Sequence, residues 1–439
     1  LGAVPIIGGR MNDTARSGWR WAPAWVLAFV ALWPAPGYAE AVLALGAIAG
    51  IARLLLSRFR GSAVLLSGPA WALTSVLFFA YWLPEAISAI DAADRARAWR
   101  EALVDLRYLP FLWIVASAVA SEEGRRRTFG GLAVIVGVWT LDALVEAAIG
   151  NSPLFLAIDH AKQAIRGHGM CTLAEVAAAD RLSGVLGPCN LKLGIVLASL
   201  SPFALDAAWR RYGRAGWFAA ATLIGLVVLL AGARAAWLTY GLVLAWTGWR
   251  TLGVKRLLAV FGLGVALLLA AALLSPSVAE RLNRSTAVFV GNAEGVDHAL
   301  SGRSRIWSAA VCMARTHPLN GVGARGFREA FPACDAKDGA LAAWGTGPAL
   351  HAHQIVLEVL SETGGIGLLL WLAGAAMAWR AWRYADERAR DGARPAMLAL
   401  VVSVFPLNTH LAAYSTFWGG VLLLLAALYA GSLLGRDPA

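Results

Sequence analysis

Apolar stretches long enough to cross a lipid bilayer recur from one end of this chain to the other, and nothing else in the sequence constrains its fold as much. A helix needs about 20 predominantly apolar residues to span roughly 30 Å of hydrocarbon, where the backbone must bond to itself. Candidate spans fall at 21–36, 39–56, 63–84, 108–121, 129–149, 189–208, 215–233, 235–249, 255–275, 353–379, 395–412 and 416–434. They predict an all-α polytopic membrane protein with about twelve transmembrane helices. Composition agrees, since 59% of the 439 residues are hydrophobic and only 15% are charged.

The connections orient the chain, because short loops rich in Lys and Arg stay on the cytoplasmic side. "RLLLSRFRG", "EEGRRRT", "WRRYGR", "WRTLGVKR" and "WRAWRYADERARDGAR" fall on alternate connections. The formal net charge of +11 is therefore topological, and no nucleic-acid partner is expected, since no basic stripe with interleaved aromatics stands on a soluble domain. Both termini are placed inside, and three large segments, 85–107, 150–188 and 276–352, outside. The expected organisation is a cytoplasmic stretch 1–20, helices one to nine within 21–275, a long, partly helical outer loop 276–352 ahead of helix ten, helices ten to twelve within 353–434, and a cytoplasmic tail 435–439. Residues 1–10 precede Met11, a candidate natural start, and 1–18 lack the charged region and apolar core of a cleavable signal. No duplicated pair of Gly- or Pro-broken helices, the mark of many carriers, is visible.

Cys171, Cys189, Cys312 and Cys334 all lie in or beside the outer segments, which fits an oxidising compartment and two disulfides. Pairing of the sequence neighbours, Cys171 with Cys189 and Cys312 with Cys334, is preferred, although four cysteines allow three pairings. A zinc site is the alternative, without CxxC or HExxH to support it.

Several charges stand where charge is costly. Arg234, in "LLAGARAAWLTYGL", lies between two apolar runs in a connection too short to lift it far from the membrane. It either meets an anion or snorkels from a helix end. Arg181, with Asn190 and Lys192, leads from an outer segment into an apolar helix. Phosphate suits such arginines, because the guanidinium fork donates two parallel hydrogen bonds to it. Arg303 and Arg305 stand at the start of an amphipathic helix expected from about 304 to 315. The "NGVGARGF" that follows reads as a positioning turn or, less specifically, as a phosphate loop. Asp142 and Glu146 either orient a sugar or pair with an arginine, and pairing is preferred.

The stretch "LHAHQIVLEVLSETGGIGL" puts two histidines and two glutamates at the start of an apolar helix. A helix beginning near His353 sets Gln354, Glu358 and Glu362 along one stripe. A neutral His353 in its first turn could accept a proton, an imidazolium being disfavoured at a helix N-terminus. His351 lies in the loop. Each histidine could equally be an interfacial residue with no ligand.

"HQIVLEVLSETGGIG" fits a pattern of His, a polar residue, nine others and G-x-x-G, and here the chain resembles bacterial O-antigen ligases. "GRSRIW", "HPLNGVGARGF", "RLSGVLGPCN" and "GARAAWL" are similar to further motifs of that family, in the same order, over residues 181–370. Two positions depart from the pattern, with Gln354 in place of Asn and Ala233 in place of Ser. The resemblance implies a GT-C-like glycosyltransferase fold in the bacterial inner membrane, with the long loop and active site on the periplasmic side. It further implies that His353 is the catalytic base and that Arg234 and Arg303, helped by Arg181, bind a donor pyrophosphate; His351, Arg305, Gln354 and Lys192 are candidates for an accessory role. The implied partners are undecaprenyl-pyrophosphate-linked O-antigen as donor, lipid A-core as acceptor, and membrane lipids.

The chemistry is consistent with that set. A pyrophosphate leaving group needs cationic stabilisation and one base. No cofactor or metal is expected, since no D-x-D pair appears in the outer loops. A single base suits direct displacement with inversion. Related activities sharing these motifs, O-antigen polymerisation and protein O-oligosaccharyl transfer, stay open, as does a lipid-linked oligosaccharide transporter. Trp344 and Leu350 are candidates to line a lateral entrance for the lipid tails.

Overall fold

The computed structural model describes residues 21–60, 66–179, 181–274, 276–286, 303–335, 347–407, 409 and 411–435, and among them the regular structure is all helical. The expectations for 1–20, for the middle of the outer loop, for Trp344 and for most of the C-terminal tail lie outside the described residues.

The chain opens with α1 (Ala22–Ala31), α2 (Pro36–Arg60), α3 (Gly68–Ser88), α4 (Arg95–Asp105), α5 (Tyr108–Ala118) and α6 (Glu122–Ile149). After α7 (Pro153–Arg166) and α8 (Leu173–Ala178) come α9 (Leu193–Leu230), α10 (Arg234–Leu252), α11 (Val254–Leu274) and α12 (Pro276–Thr286). Two loop helices, α13 (Arg303–Thr316) and α14 (Phe327–Cys334), precede α15 (Ile355–Tyr384), α16 (Glu387–Ser403) and α17 (Thr416–Leu434).

Seven helices among the described residues, α2, α3, α6, α9, α11, α15 and α17, are long and apolar enough to cross a membrane. This is a multi-pass membrane protein. The expected stretches 21–36, 108–121, 235–249 and 395–412 fall on α1, α5, α10 and α16, which are shorter or less apolar. The two expected at 189–208 and 215–233 both lie within α9, which is not one rod. Gly213 adopts φ 62°, ψ −144° and turns the chain back, so that a Cβ on Gly216 would sit 2.5 Å from the Ala208 carbonyl oxygen.

The centre of the bundle is α17, packed by α3, α5 and α16. Its 18-residue apolar window is 83% buried. Ser415 caps it by accepting from Trp418 N–H at 3.1 Å. At Gly431 the backbone of α5 comes so near that a Cβ would lie 2.2 Å from the Ala116 carbonyl oxygen, the close approach that small residues allow between membrane helices. Ser67 accepts from Ala70 N–H and donates to the Leu434 carbonyl at 2.6 Å, tying the start of α3 to the end of α17.

A second, smaller core joins the loop helices. Ile306 and Met313 of α13 pack with Val322, Phe327 and Phe331, and with Ala349 and Ala352 just ahead of α15. Cys312–Cys334 links α13 to the end of α14, and Cys171–Cys189 closes the segment around α8, with Cα separations of 5.7 and 5.4 Å. No free cysteine remains among the described residues, and the pairing is the one between sequence neighbours.

Candidate functional site

The stretch ahead of α15 is fixed before any ligand is considered. The helix begins at Ile355, and Gln354 is its N-cap, accepting from Leu357 N–H at 2.6 Å while its amide donates to the Pro406 carbonyl. Two expectations change here. His353 stands one residue ahead of the cap instead of in the first turn, and the amide of Gln354 is occupied in capping and in a backbone contact. A polar residue after the histidine is needed because the cap's side chain must satisfy an orphan backbone N–H. His353 itself has φ 54°, the left-handed region that a branched-free ring residue enters only when its surroundings hold it there.

Those surroundings come from α13. Arg303 and Trp307 are four residues apart, hence on one face of that helix. The Trp307 indole N–H donates to the carbonyl of Ala352 at 3.1 Å, pinning the residue between the two histidines. The His351 and His353 rings touch, with centroids 3.8 Å apart and planes tilted by 47°. The R-x-x-x-W spacing thus has a structural reason: the tryptophan clamps the histidine loop and the arginine is delivered to the same face.

The charge around this loop is positive. Burial pushes the His351 imidazole well below its usual pKa, and His353, Arg303, Lys192 and Arg328 push it further. Arg303 is lowered from the ordinary arginine value by burial and then by the charge of Arg234. Lys192 is lowered by burial alone, its ammonium 4.8 Å from the centre of the Phe417 ring. So Arg303 at the start of α13, Lys192 at the cap of α9 and Arg328 of α14 lie within electrostatic reach of His351, and Arg234 at the start of α10 lies within reach of Arg303. Among the described residues, His351 Nε2 and Asn190 Oδ1 are buried without a hydrogen-bond partner. Such an arrangement suits an anion, because a phosphate between like charges relieves their repulsion and can accept from His351 Nε2 when that nitrogen carries the proton, whereas Asn190 Oδ1 is an acceptor and needs a donor.

Arg305, Asp142 and Glu146 are engaged with other partners. Arg305 grips Asp335 with two nitrogens, Nε to Oδ1 at 2.7 Å and Nη2 to Oδ2 at 2.5 Å, which serves the loop rather than an anion. Arg181 sits beside Ser183, whose backbone N–H and hydroxyl both donate to Glu146 at 3.2 and 3.1 Å. Asp142 accepts from the Ser152 hydroxyl at 2.6 Å and Leu154 N–H at 3.0 Å. Both carboxylates therefore hold outer-segment backbone, and the preferred pairing with an arginine is not what they do. Ala233 is the N-cap of α10 and offers it no side-chain bond, so the missing hydroxyl is a missing cap. Leu350 is exposed.

The glutamates of the same stretch are anchors. α15 breaks at Gly364 (φ 67°), and the "HPLNGVG" loop fills the break. Val322 and Gly323 N–H donate to the carbonyls of Ser361 and Glu362 at 3.0 and 2.9 Å, and Gly365 and Ile366 N–H donate to Pro318 and Leu319 at 2.8 and 3.0 Å. The Glu362 carboxylate accepts from Arg325 N–H at 2.7 Å, and Glu358 accepts from Tyr414 N–H at 3.3 Å. Arg325 reaches on to Glu101, to the Tyr414 carbonyl and to the Thr416 hydroxyl, the last two at 2.6 Å. The turn reading of "NGVGARGF" is the one that the geometry follows. Arg325, Trp307 and Arg328 were not singled out from the sequence; for Trp307 the spacing to Arg303 was the available signal.

Among curated proteins no relative matches the chain. Residues 218–372, which run from the second half of α9 through Arg234, Arg303 and both histidines to the middle of α15, match the family model described as O-antigen ligase, so this part of the chain is similar to that family.

Proposed function

We propose that the protein is a glycosyltransferase that moves O-antigen from undecaprenyl pyrophosphate to a sugar hydroxyl of lipid A-core, at the periplasmic face of the bacterial inner membrane. The observation that carries this reading is that Arg303 lies within electrostatic reach of both His351 and Arg234, beside the His351–His353 contact and within the stretch that matches the ligase family.

In this mechanism His353 takes the proton of the acceptor hydroxyl as its oxygen attacks the anomeric carbon of the donor glycan. The bond from that carbon to the pyrophosphate oxygen breaks, its electron pair leaves with the pyrophosphate, and the configuration inverts. Arg234 and Arg303 receive the charge that builds on the leaving group, with Lys192 beside the histidine loop and Arg181 assisting from the segment that leads into α9. Preorganised cations supply most of the rate in such a step, and a positioned base adds about 10²–10⁴-fold.

The test is transfer in vitro. Purified protein in detergent with EDTA is given undecaprenyl-pyrophosphate glycan and lipid A-core, and the mobility of the core is followed for wild type and His353→Ala. A shift with wild type alone supports the proposal. Extension of the donor, or labelling of a protein acceptor, reassigns the site to a sister transferase. Transport of the lipid-linked glycan that survives His353→Ala, with no transfer to any acceptor, sinks the transferase reading.

A further inference from the structure

The other end of α10 carries a second cationic site. Arg234 and Arg250 stand at opposite ends of this helix, about 24 Å apart at 1.5 Å per residue. Around Arg250, the turn of α9, the last turns of α10 and the start of α16 enclose a cavity of about 320 Å³.

Three arginines line it, Arg210, Arg250 and Arg394, against two aspartates. Arg210 is paired with Asp206 at 2.7 Å and Arg394 with Asp391 at 2.5 Å. Arg250 has neither an ion pair nor a hydrogen bond among the described residues. The cavity therefore keeps one unneutralised guanidinium. Trp217, also in the lining, is 1% exposed, and its indole N–H has no acceptor among the described residues. An occupant that brings oxygen acceptors and negative charge would satisfy both groups, which is the chemistry of phosphate.

The walls say how that phosphate arrives. Leu205, Pro202 and Leu398 give one side of the cavity an apolar face. Trp246 lines the mouth and is 51% exposed, with Trp249 beside it on the same helix end at 64%. Exposed tryptophans in a membrane helix settle at headgroup level. The site thus combines a free guanidinium at headgroup depth with apolar walls towards the hydrocarbon, the arrangement by which basic pockets between membrane helices hold anionic lipids.

We propose that this cavity binds an anionic phospholipid from the leaflet on the arginine-rich side, with Arg250 holding the phosphodiester and the Trp217 indole N–H as a second donor. The site is separate from the histidine loop and does not depend on the transferase reading.

Native mass spectrometry of the full-length protein in detergent tests it. The protein is titrated with phosphatidylglycerol and with phosphatidylcholine, and the bound phosphatidylglycerol is challenged with inorganic phosphate. Wild type is expected to retain one phosphatidylglycerol in preference to phosphatidylcholine and to keep it against millimolar phosphate. Arg250→Gln is expected to weaken that lipid about tenfold, while Arg256→Gln, at the same end but outside the cavity, leaves it unchanged. Arg250 lies on an exposed last turn, and an unaltered melting temperature confirms that the variant is folded. Equal retention by Arg250→Gln and wild type overturns the proposal, as does displacement by inorganic phosphate, which makes the cavity a free-anion site.

Discussion

The rings of His351 and His353 meet at 3.8 Å between centroids, tilted by 47°, with Ala352 between them held by Trp307. This contact separates two roles that one motif would merge. Buried and surrounded by cations, His351 is kept neutral and acts as the wall against which His353 is positioned. His351→Phe keeps that wall and is expected to retain transfer within a few-fold. His351→Ala is expected to lower turnover about tenfold, and both His353→Ala and His353→Phe to abolish it. The core mobility shift reads all four variants. Full activity in His351→Ala removes His351 from the positioning of the base.

The paired guanidiniums make a different demand. Each charged contact to a phosphate contributes about 1.5–3 kcal/mol, or roughly 10- to 150-fold in affinity. Arg303→Ala and Arg234→Ala are expected to weaken binding of the pyrophosphate donor by that factor, measured by competition with a labelled polyprenyl pyrophosphate. Arg303→Lys keeps the charge but loses the fork, so it recovers only part of the loss. Arg305→Ala is expected to spare donor affinity and lower thermal stability instead, because its partner is Asp335.

On α4, burial pushes the Asp105 carboxyl up to about 6, with Arg325 and Arg107 opposing and Glu101 and Glu40 adding to the rise. A carboxyl raised on folding binds its proton more tightly in the native state. The stability that this contributes is complete below the unfolded value of about 3.9 and is lost as pH rises through 6. Asp105→Asn is expected to match wild type in melting temperature near pH 4 and to exceed it above pH 6. Parallel melting curves across that range contradict the assignment.

The apolar stretches were legible because a membrane leaves the backbone few options, and each of the twelve overlaps a helix among the described residues, seven of those helices being long and apolar enough to cross. Other features were not, because they depend on which backbone groups lack partners in the folded chain. Gln354 reads as a possible ligand until Leu357 N–H is seen to need a cap. Asp142 and Glu146 read as partners for arginine until the serine hydroxyls and backbone N–H groups of the outer segment take them up. The turn at Gly213 was placed only as a gap between two apolar runs, which carries no signal for a fold-back. Arg303, Arg234 and His353 were visible because charge beside hydrocarbon is rare, whereas Arg325 was hidden in a glycine-rich turn.

That turn leads to the sharpest stability prediction. Gly364 breaks α15 with φ 67° and ψ −169°, a conformation essentially confined to glycine, and a Cβ there would sit 2.2 Å from the Leu319 carbonyl oxygen. Across the break, Gly321 has φ 68°, and its Cβ would lie 2.3 Å from the backbone carbon of Glu362. The loop and the broken helix satisfy each other's backbone groups, which hydrocarbon would leave unpaired at a cost of several kcal/mol each. Gly364→Ala must therefore push the loop away as well as strain α15, and through Glu362 and Arg325 it disturbs the attachment to α17. The expected outcome is a loss of folded protein, or a fall in stability of more than about 3 kcal/mol. Gly262→Ala in α11, where a Cβ meets nothing within 4 Å, is expected to be neutral. Melting in detergent compares the two, and equal melting temperatures would show that the break in α15 does not depend on glycine.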